Sequence, residues 1–430
     1  MNLTNLSLRL NGYPIAAAKR KLQQLQAEIE QDFSAYTEAR KAEILRHHLA
    51  ENPFYKNLAG KVKDWNSLPV LTKSDLQQPL SRRLSEDFSE KTIHKHKTSG
   101  SSGHPFIFAK DKFAHALTWA SIQDLYTGLG INTGLTEARF YGIPKSGIDH
   151  YGERLKDFLG NRYRFPIFDA SPENFETFIH RFKTRAYSYL NGYTSSLLLF
   201  AKYLAEKNLV LKRICPSLTH CIVTAEMLFP EDLALLEKQF GVPVINEYGA
   251  SETGIIAIGN AGSDLQIDSR LIFVEILDEH NKPLPEGVSG KIVITALFNK
   301  AHPFIRYEIG DLGALSFEKG LPVLSKLEGR VGDYALLPDG KKIPALAFYY
   351  VTKEIISDTG SVKEFVIHQS KPDRFEIAYV ADNAFAEAEL QKIKRALLHY
   401  LGQEVTVKIE QKKQLDRSKR GKLKQFTRSF

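Results

Sequence analysis

The stretch from Phe175 to Gly249 alternates two textures. FETFIHRFKTRAYSYL (175–190) and TSSLLLFAKYLAEKNL (194–209) space apolar residues three and four apart, as helices do, whereas HCIVTAEM (220–227) and VPVINEYG (242–249) are short apolar runs ending in loops. Alternation of this kind leaves few folds open: strands lie side by side, and helices cover both faces of the sheet. The chain therefore reads as α/β, its first part built of doubly wound α/β subdomains. Before this stretch, residues from about 15 to 60 carry helical spacing, closed by Pro53 and Gly60.

After about residue 265 strands take over, in RLIFVEILDE, GKIVITALF and GALSFE, with turn residues such as NKPLPEGVSG between them. They suggest a small β-barrel-like part completing the large N-terminal domain. Beyond Gly332 the strand patterns EFVIHQS and RFEIAYVAD, the helical AEAELQKIKRALLHYLG and the strand EVTVKIEQ spell a compact α+β unit. The expected division is 1–331 and 332–430. With 430 residues, the chain exceeds the roughly 250 to 300 that one core organises.

Charge and cysteine narrow the class. The net charge is +8, yet residues 411–430 alone hold eight Lys or Arg against Asp416, so the body is nearly neutral. The tail reads as a solvated charge run, a basic arm for nucleic acid, or a lysine-bearing tip that must reach an anionic ligand. Two cysteines, Cys215 and Cys221, give no disulfide framework and suit a reducing cytoplasm. CPSLTHC lacks a fourth ligand at zinc-finger spacing, so both cysteines are expected in the core. No apolar run of about 18 residues predicts a membrane span, and the first residues do not read as a secretory signal.

One polar stretch stands out, TSGSSGHP from Thr98 to Pro105. Gly100 and Gly103 free the backbone to turn successive N–H groups toward one point, and Ser99, Ser101 and Ser102 add hydroxyl donors, the makings of an anion nest or of a plain surface loop. It is no Walker loop, and the chain has neither G-x-G-x-x-G nor G-x-S-x-G. Three further segments combine chemistry with close-approach residues: NEYGASETG (246–254), with Glu252; RYEIGDLG (306–313), with Asp311; and RSKRGKLKQF (417–426), with Lys422.

In this order the segments resemble the adenylate-forming superfamily, whose members activate carboxylic acids with ATP, and most closely its phenylacetate-CoA ligase family. TSGSSGHP stands for the phosphate loop, TAEML (224–228) is similar to GAEPL, EYGASE to YGLSE, PFIRYEIGDLG to PLIRYRTGDL, LEGRVGD to GRTDD and RGKLKQF to GKAKR. FYGIPKSGIDHYGERL (140–155) resembles a glycine-rich, aromatic segment of phenylacetate-CoA ligases.

The resemblance implies roles. Thr98, Ser99, Gly100, Ser101, Ser102 and Gly103 would cradle the β- and γ-phosphates, and Glu252 would hold Mg²⁺. Glu247, Tyr248, Gly249, Ala250 and Ser251 would line the nucleotide, Tyr248 stacking on adenine. Asp311 would bind the ribose hydroxyls and Arg330 the ribose or phosphates. Lys422 would approach the α-phosphate during adenylation, and Tyr141, Gly142, Tyr151 and Glu226 would line the acyl side. It implies ATP, Mg²⁺ and CoA, a mobile C-terminal domain, and, by analogy only, a homodimer. Where relatives carry a hinge acid this chain has Gly332, followed by Asp333. LPDGKKIPA brings it closer to members found with capsule and exopolysaccharide pathways, so the acceptor is CoA, a carrier-protein thiol or an amine. A reading from another class is a non-catalytic nucleotide- or nucleic-acid-binding protein on the same fold. His94 and His96, alternating with lysines, suggest a solvated or phosphate-facing role; NGYTSSL suggests helix capping by Thr194 or Ser195. His302 is given no role.

Overall fold

The computed structural model describes residues 3–62, 64–97, 106–141, 148–167, 171–330, 334–340, 342–344, 362–381, 383–401, 405–417, 423–424 and 426–430. The chain forms two compact units, one of Met1–Ile309 and Gly313–Leu327, the other of Gly310–Leu312 and Glu328–Phe430.

Four helices open the first unit: α1 (Leu3–Leu10), α2 (Ile15–Gln31), α3 (Phe33–Glu51) and α4 (Pro53–Ala59). The helical expectation for residues 15 to 60 is broken twice for a local reason. The Asp32 carboxylate accepts from Ala35 N at 2.9 Å and the Asn52 side chain from Tyr55 N at 2.9 Å, so each starts a new helix. A hairpin follows, β1 (Ile93–Lys97) paired antiparallel with β2 (Ile107–Asp111), and the Asp111 carboxylate caps α5 (Lys112–Gly128) at Ala114 N, 2.8 Å.

The alternating stretch folds as β3 (Glu137–Phe140), α6 (Ile148–Leu159), β4 (Arg162–Arg164), α7 (Pro172–Thr184), β5 (Tyr189–Tyr193), α8 (Thr194–Glu206), α9 (Leu211–Ile214), β6 (His220–Thr224), α10 (Pro230–Phe240) and β7 (Val244–Ala250). These strands pair in parallel in the order β4-β3-β5-β6-β7. Burial alternates along them: Leu190, Cys221, Val223 and Val244 join an aromatic-rich core with Phe178, Phe200 and Phe240, while Tyr189, Ile222 and Ile245 face Tyr126 of α5 on the other side. The helix expected over 175–190 stops at Thr184, because its last residues, Tyr189 and Leu190, are needed as a sheet strand buried on both faces.

The remaining strands of the unit are β8 (Gly254–Asn260), β9 (Leu265–Ile267), β10 (Ile272–Leu277), β11 (Gly290–Ala296), β12 (Tyr307–Glu318) and β13 (Leu321–Arg330). The strands expected of the β-rich part continue the parallel sheet in one 11-stranded series, β10-β11-β12-β13-β9-β8-β7-β6-β5-β3-β4. The SETG turn makes the join, folding β8 back antiparallel onto β7 and so carrying the parallel sheet into the β-rich region.

The second unit holds a hairpin, β14 (Tyr334–Leu336) with β15 (Lys342–Pro344). It also holds a four-stranded sheet built from β16 (Val362–Lys371), β17 (Arg374–Ala381), β18 (Thr406–Gln411) and β19 (Phe426–Arg428), with α11 (Glu387–Leu401). Phe365, Ile367, Phe375 and Ile377 of the sheet share a core with Ile393 and Leu397 of the helix. The described part of the basic tail is anchored in this unit by its apolar residues while its lysines stay in solvent: Leu415, Leu423 and Phe426 are buried, Arg417 pairs with Glu364, β19 lies parallel to β16, and Lys412, Lys413 and Lys424 are exposed.

Candidate active site

In a parallel sheet of order 2-1-3-4-5, ligands bind beyond the carboxyl ends of the strands, where neighbouring connections leave in opposite directions. Here that position is the end of β3 and β5, and the strand order matches once the five parallel strands are numbered along the chain. Several sequence-predicted residues gather at those ends. Tyr141 follows β3, Glu226 follows β6, and Glu247 to Glu252 close β7 and enter the next turn.

The turn needs its glycines. A Cβ at Gly249 would lie 2.6 Å from the Gly254 carbonyl oxygen; Gly254 has φ +101°, and a Cβ there would meet Thr118 Cγ2 at 2.6 Å. Tyr248 is buried among Phe106, Phe108, Ile256 and Tyr307, so most of its ring is spent on the core. Ser251 is exposed and Glu252 half-buried. The Tyr307 hydroxyl donates to Glu252 Oε1 at 3.4 Å, tying the YGASE turn to the start of β12.

Arg306, immediately before, is the anchor of that strand. It is fully buried, has φ +47°, and its guanidinium pairs with Glu275 at 3.2 Å while donating to the Asn66 and Leu68 carbonyls at 2.8 and 2.9 Å.

Behind the strand ends lies a polar chain that the sequence did not reveal. Tyr141 Oη donates to Asn191 Oδ1 at 2.7 Å, Asn191 Nδ2 to Tyr126 Oη at 3.1 Å, Tyr126 Oη to Glu247 Oε2 at 2.5 Å, and Thr224 Oγ1 to Glu247 Oε1 at 3.2 Å. Burial pushes the Glu247 carboxyl above its ordinary range, against the lowering effect of the Tyr126 and Thr224 hydrogen bonds. Glu226 is likewise occupied: its carboxylate accepts from Ser195 N at 2.7 Å and so caps α8. The cap expected of Thr194 or Ser195 is thus supplied from another strand end; Thr194 Oγ1 instead donates to the Glu226 carbonyl at 3.3 Å.

Other expectations fall elsewhere. Tyr151 stands 75% exposed on α6, where Leu155 and Phe158 are exposed as well. Asp311 is half-buried after Gly310 (φ +88°), within the segment of β12 grouped with the second unit. Arg330 closes β13. The stretch Thr98, Ser99, Gly100, Ser101, Ser102, Gly103, and also Gly142, Gly332 and Lys422, lie outside the described residues.

The histidines that looked phosphate-facing are packed. On the β1–β2 hairpin His94 stands opposite Lys110; its ring stacks on His115 at 3.7 Å between centroids, and Nδ1 bonds the Tyr13 hydroxyl at 2.8 Å. His302 is fully buried against the Arg83 guanidinium. Cys215 and Cys221 are buried and unbridged, and no cluster among the described residues has the makings of a metal site from His, Cys, Asp and Glu alone. No helix among the described residues is long and apolar enough to cross a membrane.

The fold so described is that of adenylate-forming ligases. It superposes on 2-hydroxyisobutyryl-CoA ligase in the postadenylation state with TM-score 0.70 and 17% identity, over 92% of this chain and 89% of that one. Amide bond synthetase McbA from Marinactinospora thermotolerans gives TM-score 0.54 and 16% identity over 77% and 67% of the two chains. In sequence, Protein CapK of Staphylococcus aureus is 24% identical over 296 residues, 65% of this chain and 62% of CapK. Phenylacetate-coenzyme A ligase of Thermus thermophilus is 24% identical over 303 residues, 66% of each. The matches thus span just under two thirds of these relatives' own lengths. No family model matches the chain. In sequence the chain is thus similar to CapK and to phenylacetate-CoA ligase, and in fold to the adenylate-forming ligases.

Proposed function

We propose that this protein is an ATP-dependent, AMP-forming ligase that activates a carboxylic acid and passes the acyl group to a thiol, CoA first among the acceptors. The observation that carries the reading is the gathering of Tyr141, Glu226 and the Glu247–Glu252 segment at the carboxyl ends of the parallel strands, in a chain with the fold of adenylate-forming ligases and sequence similarity to phenylacetate-CoA ligase. In the first step a carboxylate oxygen attacks the α-phosphorus of ATP, the bond from that phosphorus to the bridging oxygen breaks, and pyrophosphate leaves with the electron pair. In the second, the acceptor sulfur attacks the acyl carbon, the bond to AMP breaks, and the thiol proton is lost to solvent.

The donor set suits a magnesium triphosphate. Glu252 offers a hard carboxylate held from one side by Tyr307, and a buried lysine, Lys110, lies within its electrostatic reach. Bound Mg²⁺ would neutralise phosphate charge. Thr98 to Gly103 would wrap the β- and γ-phosphates; Glu247, Tyr248, Gly249, Ala250 and Ser251 would border the nucleotide, Asp311 and Arg330 would bind the ribose side, and Lys422 would approach the α-phosphate. Glu226 acts in this reading as the strut that fixes the α8 terminus beside the acyl group. Residues 1–331 would form the adenylation domain and 332–430 the mobile domain, in a cytoplasmic enzyme with no need of nucleic acid.

A second reading, transfer to an amine or a carrier protein, is favoured by the likeness to the amide synthetase. The deciding experiment is pyrophosphate release over a panel of aryl, fatty and sugar acids, with and without CoA. Acid-dependent release that stops near one turnover without CoA and continues with it is expected; release whose continued rate is indifferent to CoA moves the assignment to the other acceptors, and none with any acid refutes the proposal.

A further inference from the structure

The β1–β2 hairpin carries, on one face, His94, His96, Phe108 and Lys110, since residues opposite one another in an antiparallel pair share a face and alternate positions repeat it. Lys110 is only 6% exposed. Its ammonium donates to Thr118 Oγ1 at 3.3 Å, and that hydroxyl passes its own proton to the Ala114 carbonyl at 3.0 Å. One long bond to a neutral partner is little for a group with three N–H donors. Among the described residues Lys110 makes no ion pair within 4.0 Å; the carboxylate whose field it feels is Glu252. The imidazoles around it offer no negative charge; burial and the neighbouring Lys110 hold His94 below its ordinary range and His115 at about 3.

A buried ammonium without a counterion costs the fold free energy that an anion at the same place would repay. One connection points that anion toward the nucleotide. Thr118, which holds Lys110, is also the side chain against which Gly254 closes the YGASE turn. Lys110 therefore shares a support with the turn that carries Glu252, the carboxylate read as the metal ligand. In sequence Lys110 follows the apolar run FIFA and precedes Asp111, which is spent on capping α5.

We propose that Lys110 is a further substrate-binding residue, supplying a fixed cation to the β–γ end of the triphosphate and to the departing pyrophosphate, beside Glu252. This rests on the ligase reading and extends it. The test is binding, by calorimetry on the full chain with magnesium, of three probes: ATP, inorganic pyrophosphate and AMP. Lys110→Met keeps the volume and removes the charge, and Lys110→Gln serves should the methionine variant not fold. Loss of one charge-assisted contact is expected to weaken ATP and pyrophosphate about ten- to a hundredfold, with AMP changed less than about twofold because it lacks those phosphates, and Lys110→Arg should restore most of the loss. Equal weakening of all three probes would reduce Lys110 to a packing role and overturn the proposal, as would unchanged ATP and pyrophosphate binding. Wild-type protein that binds none of the three would overturn the ligase reading, and this inference with it.

Discussion

Replacing Arg306 by methionine tests how the fold holds the RYEIGDLG segment. The aliphatic stem is nearly preserved, but the Glu275 carboxylate, itself 8% exposed, loses the guanidinium 3.2 Å away, and the Asn66 and Leu68 carbonyls lose their donor. Removing one partner of a buried ion pair costs about 3–5 kcal/mol, and two orphaned carbonyls carry a further share, so a loss of about 4 kcal/mol or more is expected in urea unfolding of the full chain. The deficit should depend on pH with a definite sign. Burial already raises Glu275 against the pull of Arg306, and without the arginine it rises further. A carboxyl whose folded pKa exceeds its unfolded one is favourable below the unfolded value and loses that advantage as pH climbs through the folded one. The variant should therefore lie closer to wild type at pH 5 than at pH 8. Adding Glu275→Gln should recover part of the stability, the carbonyls staying unpaired. A single variant within about 1 kcal/mol of wild type, or a double variant no better than the single, would refute the clamp. Because Tyr307 is the next residue and its hydroxyl meets Glu252, the same variant should weaken magnesium-dependent ATP binding.

Two further outcomes are expected. His48 is fully buried, its Nε2 donates to the Asn299 carbonyl at 3.0 Å, and burial lowers its pKa to about 3; the unfolded chain takes up that proton below about pH 6.5 and the folded one does not, so this residue alone should cost about 2 kcal/mol between pH 7 and pH 5, a slope that His48→Gln should diminish and that a flat urea profile would contradict. Lys422→Ala should suppress adenylate formation, read as pyrophosphate release, while leaving ATP affinity nearly intact; an unchanged rate at equal affinity would remove Lys422 from the chemistry.

How far the sequence could be read depended on whether a residue's partner lay nearby in the chain. Asp32 and Asn52 act over three residues and are recoverable from local rules, as is the strand-to-turn character of NEYGASETG, where glycines mark a close approach. GALSFE reads as a strand, but β12 begins six residues earlier, at Tyr307, because Gly310 and Asp311 resemble turn residues until a neighbouring strand pairs with them. Glu226 as the cap of α8 and Lys110 beside Thr118 and Glu252 join elements that only the packed sheet brings together. Tyr151 shows what a motif leaves open: whether an aromatic is covered or exposed is set by the packing of its helix, and here it is exposed. The tail's positive count likewise hid Leu415, Leu423 and Phe426, apolar anchors spaced among the lysines.

The two thiols have a practical consequence. Cys215 and Cys221 both lie inside the aromatic core of the parallel sheet, and burial raises the Cys221 thiol far above the range where thiolate forms at neutral pH. The native protein should stay nearly silent toward maleimide dyes, so single cysteines introduced at exposed positions of each unit would take a fluorescent pair without first stripping the chain of its own sulfhydryls.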